Sequence, residues 1–478
     1  MSDLIGKFFG LQEESDRVKH IAKVAAVFMP FAALAFTMSS TFYSFYVATT
    51  LSPGDLYLGF ALVGILASIM MAIQLTMDYP TGGIGDWIGQ RWILASAFLC
   101  YALSFFLTWM SQFFPFFWFF ILIYIISAIG AAQQSGAIAS WFDNNYRAVA
   151  KDFERKAYSI AQGRMGMLFQ ISATAVLIPG AVLATFMGRE FVFFIQAILC
   201  MFIGVSSLIL FRDFPEVVAN RPKRSLKAYY GILKDGLKFA FSTRYVAYYI
   251  IGSVLMSSTI IVWGNMILFY IYYTYLSYSD VAVALFRTIL FAVGVIWIER
   301  AGVWTRNLKT DKWIPRVQLL QTCGPIFYFV IAIIAMFMLP VVLPFPFMYL
   351  QIPTMLICLG FILSGIFSGA TNILNQRLVL DLVPDKIRNG IYSLFPTLTF
   401  IFAVPQMVFF AFVLTSPILT VLSQLPLVMV LCGLGVISLI GLIILKIGLQ
   451  EAPEVPPVEG GPLPVEEIPS GPIPTEPA

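Results

Sequence analysis

Long apolar runs separated by short polar joints dominate the chain from residue 22 to residue 448. Crossing the roughly 30 Å hydrocarbon layer of a bilayer takes about 20 helical residues, so each run of that length predicts a membrane span. Twelve are predicted, at 22–48, 56–79, 91–111, 114–141, 160–187, 190–211, 245–274, 281–303, 314–339, 346–376, 390–415 and 420–448. Prolines in the tenth and eleventh predict kinks there. The pattern divides the chain into a six-helix bundle at 1–211, a connector at 212–244, a second six-helix bundle at 245–449 and a tail at 450–478. In the connector, Leu226, Tyr230, Leu233 and Leu237 recur at helical spacing among Arg221, Lys223, Arg224, Lys227, Lys234 and Lys238. That pattern predicts a basic helix on a membrane surface. The tail is rich in Pro, Glu and Gly without apolar periodicity, which predicts disorder.

Composition sharpens the fold class to all-α and membrane-integral. Apolar residues make up 59% and charged residues 11%, against about a quarter charged in ordinary chains. A soluble fold cannot hide that much apolar surface. All but Arg189 and Arg287 of the 29 Lys and Arg fall on one side of the twelve-span topology. Because cytoplasmic loops collect these residues, both termini are expected to be cytoplasmic. The polar first twenty residues lead into a full-length span, so no cleavable signal is expected. Five cysteines lie inside apolar runs without metal-ligand spacing, and His20 is the one histidine. Neither a cofactor nor a metal nor a nucleic-acid partner is expected.

Between the second and third predicted spans stands Tyr79-Pro-Thr-Gly-Gly-Ile-Gly-Asp-Trp-Ile-Gly-Gln-Arg91. Glycines there would let two helix ends approach closely, and the acid could accept hydrogen bonds from a helix N-terminus. Gly82, Asp86, Gly89 and Arg91 resemble the signature loop of the major facilitator superfamily, in which Gly-x-x-x-Asp-Arg-x-Gly-Arg-Arg joins the same two helices. Trp87 and Gln90 depart from it where the family usually has basic residues. Asp78-Tyr-Pro-Thr-Gly82 is similar to the acid-x-Pro-Thr-Gly stretch of a drug-efflux-like branch. Ser135 to Asp143 resembles that branch's fourth helix, and Asn375 with Val383-Pro384, Arg388 and Tyr392-Ser393 its tenth-to-eleventh connection. Gly294, Glu299-Arg300 and Gly302 form a degenerate echo in the second half. The resemblance implies two pseudo-symmetric bundles that rock about a cavity lined by spans 1, 4, 7 and 10. It also implies that the Asp86 loop latches the cytoplasmic gate, with Asp143 and the region of Arg388 as partners. With Gln90 in place of a basic residue, the charge relay is expected to be reduced or to run through Arg91.

Polar side chains within spans usually face a bundle interior. Gln133 and Gln134, Asn265 and Asn372 are candidate solute contacts, with interhelical hydrogen bonding as the alternative. Arg287 lies seven residues beyond Asp280, roughly 10 Å along a helix. It could hold a solute carboxylate or phosphate, or snorkel to the interface. Asp78 lies eight residues before Asp86, about 12 Å along the same helix. It is the candidate coupling carboxylate, against a purely structural acid near the gate. Single aromatic residues such as Tyr43 and Trp263 are expected to pack or face lipid. The expected function is secondary transport of a small organic solute by alternating access, with proton-coupled efflux as the sharper form. The alternatives are organic-anion uptake through Arg287, a membrane lipid or prenyl transferase, and a non-transporting receptor. A transferase would need clustered acids or histidines within spans, and this chain has no such acid pair.

Overall fold

The computed structural model describes residues 2–150, 156–219, 234, 237–238, 240–276, 279–305, 308–338, 351–382, 385–416 and 424–450. Most of the basic connector and the tail after residue 450 therefore lie outside the described residues. Every regular element among the described residues is helical. Eleven stretches are long and apolar enough to cross a membrane, and the 26-residue helix Asp280–Thr305 supplies the remaining predicted span.

Numbered along the chain, span 1 comprises Asp16–Thr37 and Tyr43–Leu51, span 2 Leu56–Ile88, and span 3 Gln90–Met110. Span 4 comprises Phe117–Gln134 and Ala137–Val149, span 5 is Lys156–Met187 and span 6 Arg189–Leu210. Span 7 joins Arg244–Val262 to Leu268–Tyr275 through a π-turn at Trp263–Ile267. Spans 8, 10, 11 and 12 are Asp280–Thr305, Ile352–Leu382, Asp385–Leu414 and Leu425–Gln450. Span 9 comprises Thr310–Leu320 and Pro325–Phe337. Side-chain caps start several of these: Ser15 Oγ accepts from Val18 N, Asp55 Oδ1 from Leu58 N, and Thr243 Oγ1 from Val246 N. Each satisfies a backbone donor left free by the helix start.

The helix interruptions do not fall at the described prolines of spans 10 and 11. Span 11 runs as one helix through Pro396 and Pro405, and Pro353 sits in the first turn of span 10, where its missing N–H costs nothing. The interruptions fall instead at residues 38–42 of span 1, at Ser135–Gly136 of span 4, at the span 7 π-turn and at Gln321–Gly324 of span 9. In span 9, Cys323 takes a left-handed φ of 64°. There Thr322 N donates to Ser368 Oγ at 3.2 Å and its hydroxyl pairs with Ser364 at 2.8 Å, so span 10 satisfies groups the break releases.

The two ends of the molecule differ in how the bundles meet. At the end remote from residues 82–91, called here the far end, one continuous core crosses between them. It takes Phe42, Phe45, Phe60 and Phe193 from the first bundle and Trp263, Tyr272, Tyr273, Phe286 and Phe361 from the second. Toward the motif end the buried residues among those described form separate cores. Phe28, Phe98, Trp141, Ile203 and Phe211 pack within the first bundle, and Ile250, Ile314, Leu374 and Leu445 within the second. Span 2 packs on span 11 and span 5 on span 8, the latter through Leu177, Ala181 and Ala284. Within the second bundle, a Cβ on Gly252 would lie 2.7 Å from Gly441 O. Small residues let the backbones of spans 7 and 12 touch, as helices in lipid require when apolar burial no longer favours association.

Candidate functional site

At the motif end, the signature is not the loop expected from its glycines. Span 2 continues helically through it to Ile88, and the joint is Gly89 alone, with φ 101° and ψ 141°. Only glycine takes that conformation without strain. Gly89 N still donates to Gly85 O at 3.0 Å. Gln90 then folds back on Gly85, where an added Cβ would lie 2.8 Å from its Oε1, and is almost fully buried. A long basic side chain at 90 would have to leave that notch. Arg91 lies with its guanidinium 5.4 Å from the Trp92 ring centroid. Gly82 and Asp86 are helical residues of span 2, and Arg388 of span 11. The Asp86 and Arg388 side chains lie outside what is described. Asp143 is half-buried on the second segment of span 4.

Two residues beyond Asp143 is a group the sequence reading missed. Asn145 is fully buried, and its amide donates to Trp141 O at 2.8 Å and Asp213 Oδ1 at 3.0 Å. Its Oδ1 accepts from Phe214 N at 2.9 Å. This ties span 4 to the chain leaving span 6. Beside it, Arg17 forms a bidentate pair with Glu216 at 2.9 and 2.7 Å. The Arg17 hydrogen bonds hold the Glu216 carboxyl down at about 2, well below its ordinary value.

Several of the predicted polar residues converge in the first bundle. Asp78 is half-buried in span 2, and its Oδ1 is shielded from solvent and has no hydrogen-bond partner. One turn on, Thr81 Oγ1 bonds both Asp78 O at 3.0 Å and Ala132 O at 3.1 Å. Ala132 leads into Gln133, whose buried Oε1 is also unpartnered, and Gln134, whose Oε1 accepts from Tyr101 OH at 2.9 Å. Immediately afterwards span 4 breaks at Gly136, with φ +72° and open space where a Cβ would be. A carboxylate, two amides and the end of a half-helix are thus gathered where the fourth span is interrupted, a feature of membrane transport sites.

In the second bundle the candidates stay apart. Asn265 lies in the span 7 π-turn, and its amide donates within its own helix to Ile261 O at 2.9 Å. Asn372 is an exposed residue of span 10. Trp263 packs on Phe327, Tyr328 and Phe361, as a packing residue should.

Arg287 does not snorkel outward. Its Nη1 donates across the bundle interface to Ser40 O at 2.7 Å, with Ser40 Oγ at 3.4 Å, in the interruption of span 1. Nearby is an ion pair that sequence spacing did not suggest. Arg189, opening span 6, grips Asp280, opening span 8, through Nε and Nη2, both at 2.8 Å. Tyr273 donates to the same carboxylate and to Thr41 O at 3.3 Å. Its ring stacks on Phe45 with centroids 3.7 Å apart and planes within 5°. The guanidinium of Arg189 lies 4.9 Å from the Phe45 centroid. The only hint in sequence was that Arg189 stands apart from the other basic residues. Together these contacts clamp the bundles shut at the far end.

Among the described residues no group of acids, histidines and cysteines could hold a metal ion. The architecture is similar to that of solved transporters. The nucleoside transporter NupG superposes with a TM-score of 0.66 at 14% identity, covering 90% of this chain and 100% of that one. An auto-inhibited POT family peptide transporter gives 0.68 at 9% identity, covering 94% and 99%. A D-xylose–proton symporter gives 0.61 at 12% identity, covering 89% and 95%. No curated protein sequence matches the chain. The model of the Major Facilitator Superfamily matches residues 27–395, taking in the signature helix end, both half-buried span charges and the far-end clamp, and the chain belongs to that superfamily of multi-pass transporters.

Proposed function

We propose that this secondary transporter moves a small organic solute by rocking its two bundles about a cavity lined by spans 1, 4, 7 and 10. The observation that carries the reading is the asymmetry of closure: one shared core and a polar clamp at the far end, two separate cores at the motif end. In the orientation set by the basic residues, the motif end and both termini face the cytoplasm and the protein sits in the cell membrane. The conformation described is then inward-facing. Asp86, with Asp143 and Arg388, would latch the motif end in the opposite state, and Asp78 would couple transport to protons. Nucleosides, peptides and xylose, named for the similar structures, are all small polar organic molecules. The drug-efflux-like stretch at Asp78–Gly82 favours proton-coupled efflux as the mode; Arg287 favours, as a second reading, uptake of an organic anion.

The test is solute flux in proteoliposomes against a panel of nucleosides, peptides, sugars, organic anions and amphipathic drugs. At least one should exchange faster than in empty liposomes. An acid at a helix N-terminus contributes about 0.3–2 kcal/mol, so Asp86→Asn should shift the balance of gate states several-fold and slow exchange without unfolding the protein. Flux indistinguishable from empty liposomes across the whole panel would sink the carrier reading.

A further inference from the structure

We propose that Arg287 recognises an anionic group of the solute, a carboxylate or phosphate, and that the anion opens the far end by drawing the guanidinium away from Ser40. This deepens the alternating-access reading and rests on it.

Four charged side chains lie near the far-end clamp: Arg189, Glu190, Asp280 and Arg287. Asp280 is already taken, by both Arg189 donors and by Tyr273. Glu190 acts on Arg189 and on Tyr46. Among the described residues, the electrostatic neighbours of Arg287 are the hydroxyls of Tyr272 and Tyr273, with no carboxylate among them. A cation inside a membrane protein without a counter-ion is costly, and such residues mark the path of a charged cargo. An anion arriving with the solute would offset that cost.

Among the described residues, Arg287 uses Nη1 alone, on Ser40, whereas Arg189 spends Nε and Nη2 on a carboxylate. The equivalent edge of Arg287 has no partner. The rings of Phe269 and Phe291, with centroids 5.4 and 5.3 Å from the guanidinium carbon, restrict its rotation. A held fork with two parallel free N–H groups matches a planar carboxylate or a phosphate bidentately.

Ser40 belongs to the first bundle and Arg287 to the second, so their bond is one of the ties across the far end. Its acceptor is a neutral carbonyl, whereas a carboxylate or phosphate adds the attraction of a full negative charge and can engage the guanidinium at two points. An anion entering from the motif end would therefore outcompete Ser40 and favour the state in which the far end parts. A ligand shifts a conformational balance only by such a difference in affinity between states.

The experiment uses the full-length protein in proteoliposomes, with the native cysteines replaced and T41C as reporter. Thr41 is fully buried in the closed far end, so labelling by a membrane-impermeant maleimide reads its opening. The probes are benzoate, inorganic phosphate and, as a neutral analogue, benzamide. At least one anion should raise the labelling rate several-fold while benzamide does not, and which anion acts distinguishes a carboxylate from a phosphate site. R287K keeps the charge but loses the fork and should need about tenfold to a hundredfold more anion. R287Q should lose the response and label faster without anion. A response to benzamide equal to that of the anions, silence to both anions, or a normal anion response in R287Q would each overturn the proposal. Solute exchange that R287Q leaves unchanged would remove the anion role and keep the carrier. Anion-dependent labelling without any solute flux would do the reverse.

Discussion

Asp78 and Arg287 sit in opposite bundles and toward opposite ends, and among the described residues neither has an oppositely charged partner. Both were legible in the sequence, because a charge inside an apolar run stands out against its neighbours and is expensive in hydrocarbon. Gln133 and Gln134 were legible for the same reason. Arg189 and Asp280 were not, because each lies at a span end, where charges are ordinary, and 91 positions separate them. Only the fold brings them within 2.8 Å. For Asp78 the unpartnered Oδ1 beside the interruption of span 4 fits a group whose hydration would change under the proposed rocking of the bundles. A carboxyl dry in one state and wet in the other binds its proton differently in the two. Asp78→Asn keeps shape and hydrogen bonding but removes titration. Uphill transport driven by a pH gradient should disappear in this variant while downhill exchange persists. Wild-type accumulation would make Asp78 a structural acid.

The elements were legible as spans but not in their internal breaks. Apolar runs report that a segment must be helical in lipid, and every predicted span has its helix. Both interruptions coincide with short polar stretches, Ser39-Ser40-Thr41 and Gln133-Gln134-Ser135-Gly136, which are too brief to end an apolar run and so read as polar side chains within a span. Span 11 runs helically through Pro396 and Pro405, so proline positions did not mark the interruptions either. The glycines of the signature suggested a loop where the helix continues to Ile88. Gly136 allows the break in span 4 to be tested cleanly. Its φ is +72°, yet an added Cβ would meet nothing within 4 Å, so Gly136→Ala carries a conformational cost and no clash. That cost is roughly 1–2 kcal/mol for a left-handed L-residue. Gly136→Ala should lower the thermal unfolding midpoint, and Gly136→Asn, which tolerates this conformation, should lower it less. Equal midpoints for all three proteins would mean that span 4 straightens freely and that the break is not held by its neighbours.

At the scale of the whole molecule, the unequal closure of the two ends sets what must change for the far end to open. The Phe45–Tyr273 stack, the Ser40–Arg287 tie and the Arg189–Asp280 pair all cross the bundle boundary there. Apolar contacts can be exchanged for lipid or for other rings, but a buried ion pair cannot be parted without new partners or water. Removing one member leaves the other uncompensated, at a cost of about 3–5 kcal/mol. That is as large as the few kcal/mol that commonly separate two conformations of one protein. Arg189→Ala should therefore leave the fold intact and move the population toward an open far end, where water can reach Asp280. T41C in that background should label from outside the cell much faster than in the parent, which also checks which end faces out. The reversed pair R189D with D280R should restore slow labelling, because the attraction is kept while the charges exchange places. Tyr273 qualifies this, since its hydroxyl donates to Asp280 and would lose that acceptor to an arginine, so recovery should be partial. Slow labelling in Arg189→Ala itself would assign closure to the aromatic stack, with the ion pair only orienting it.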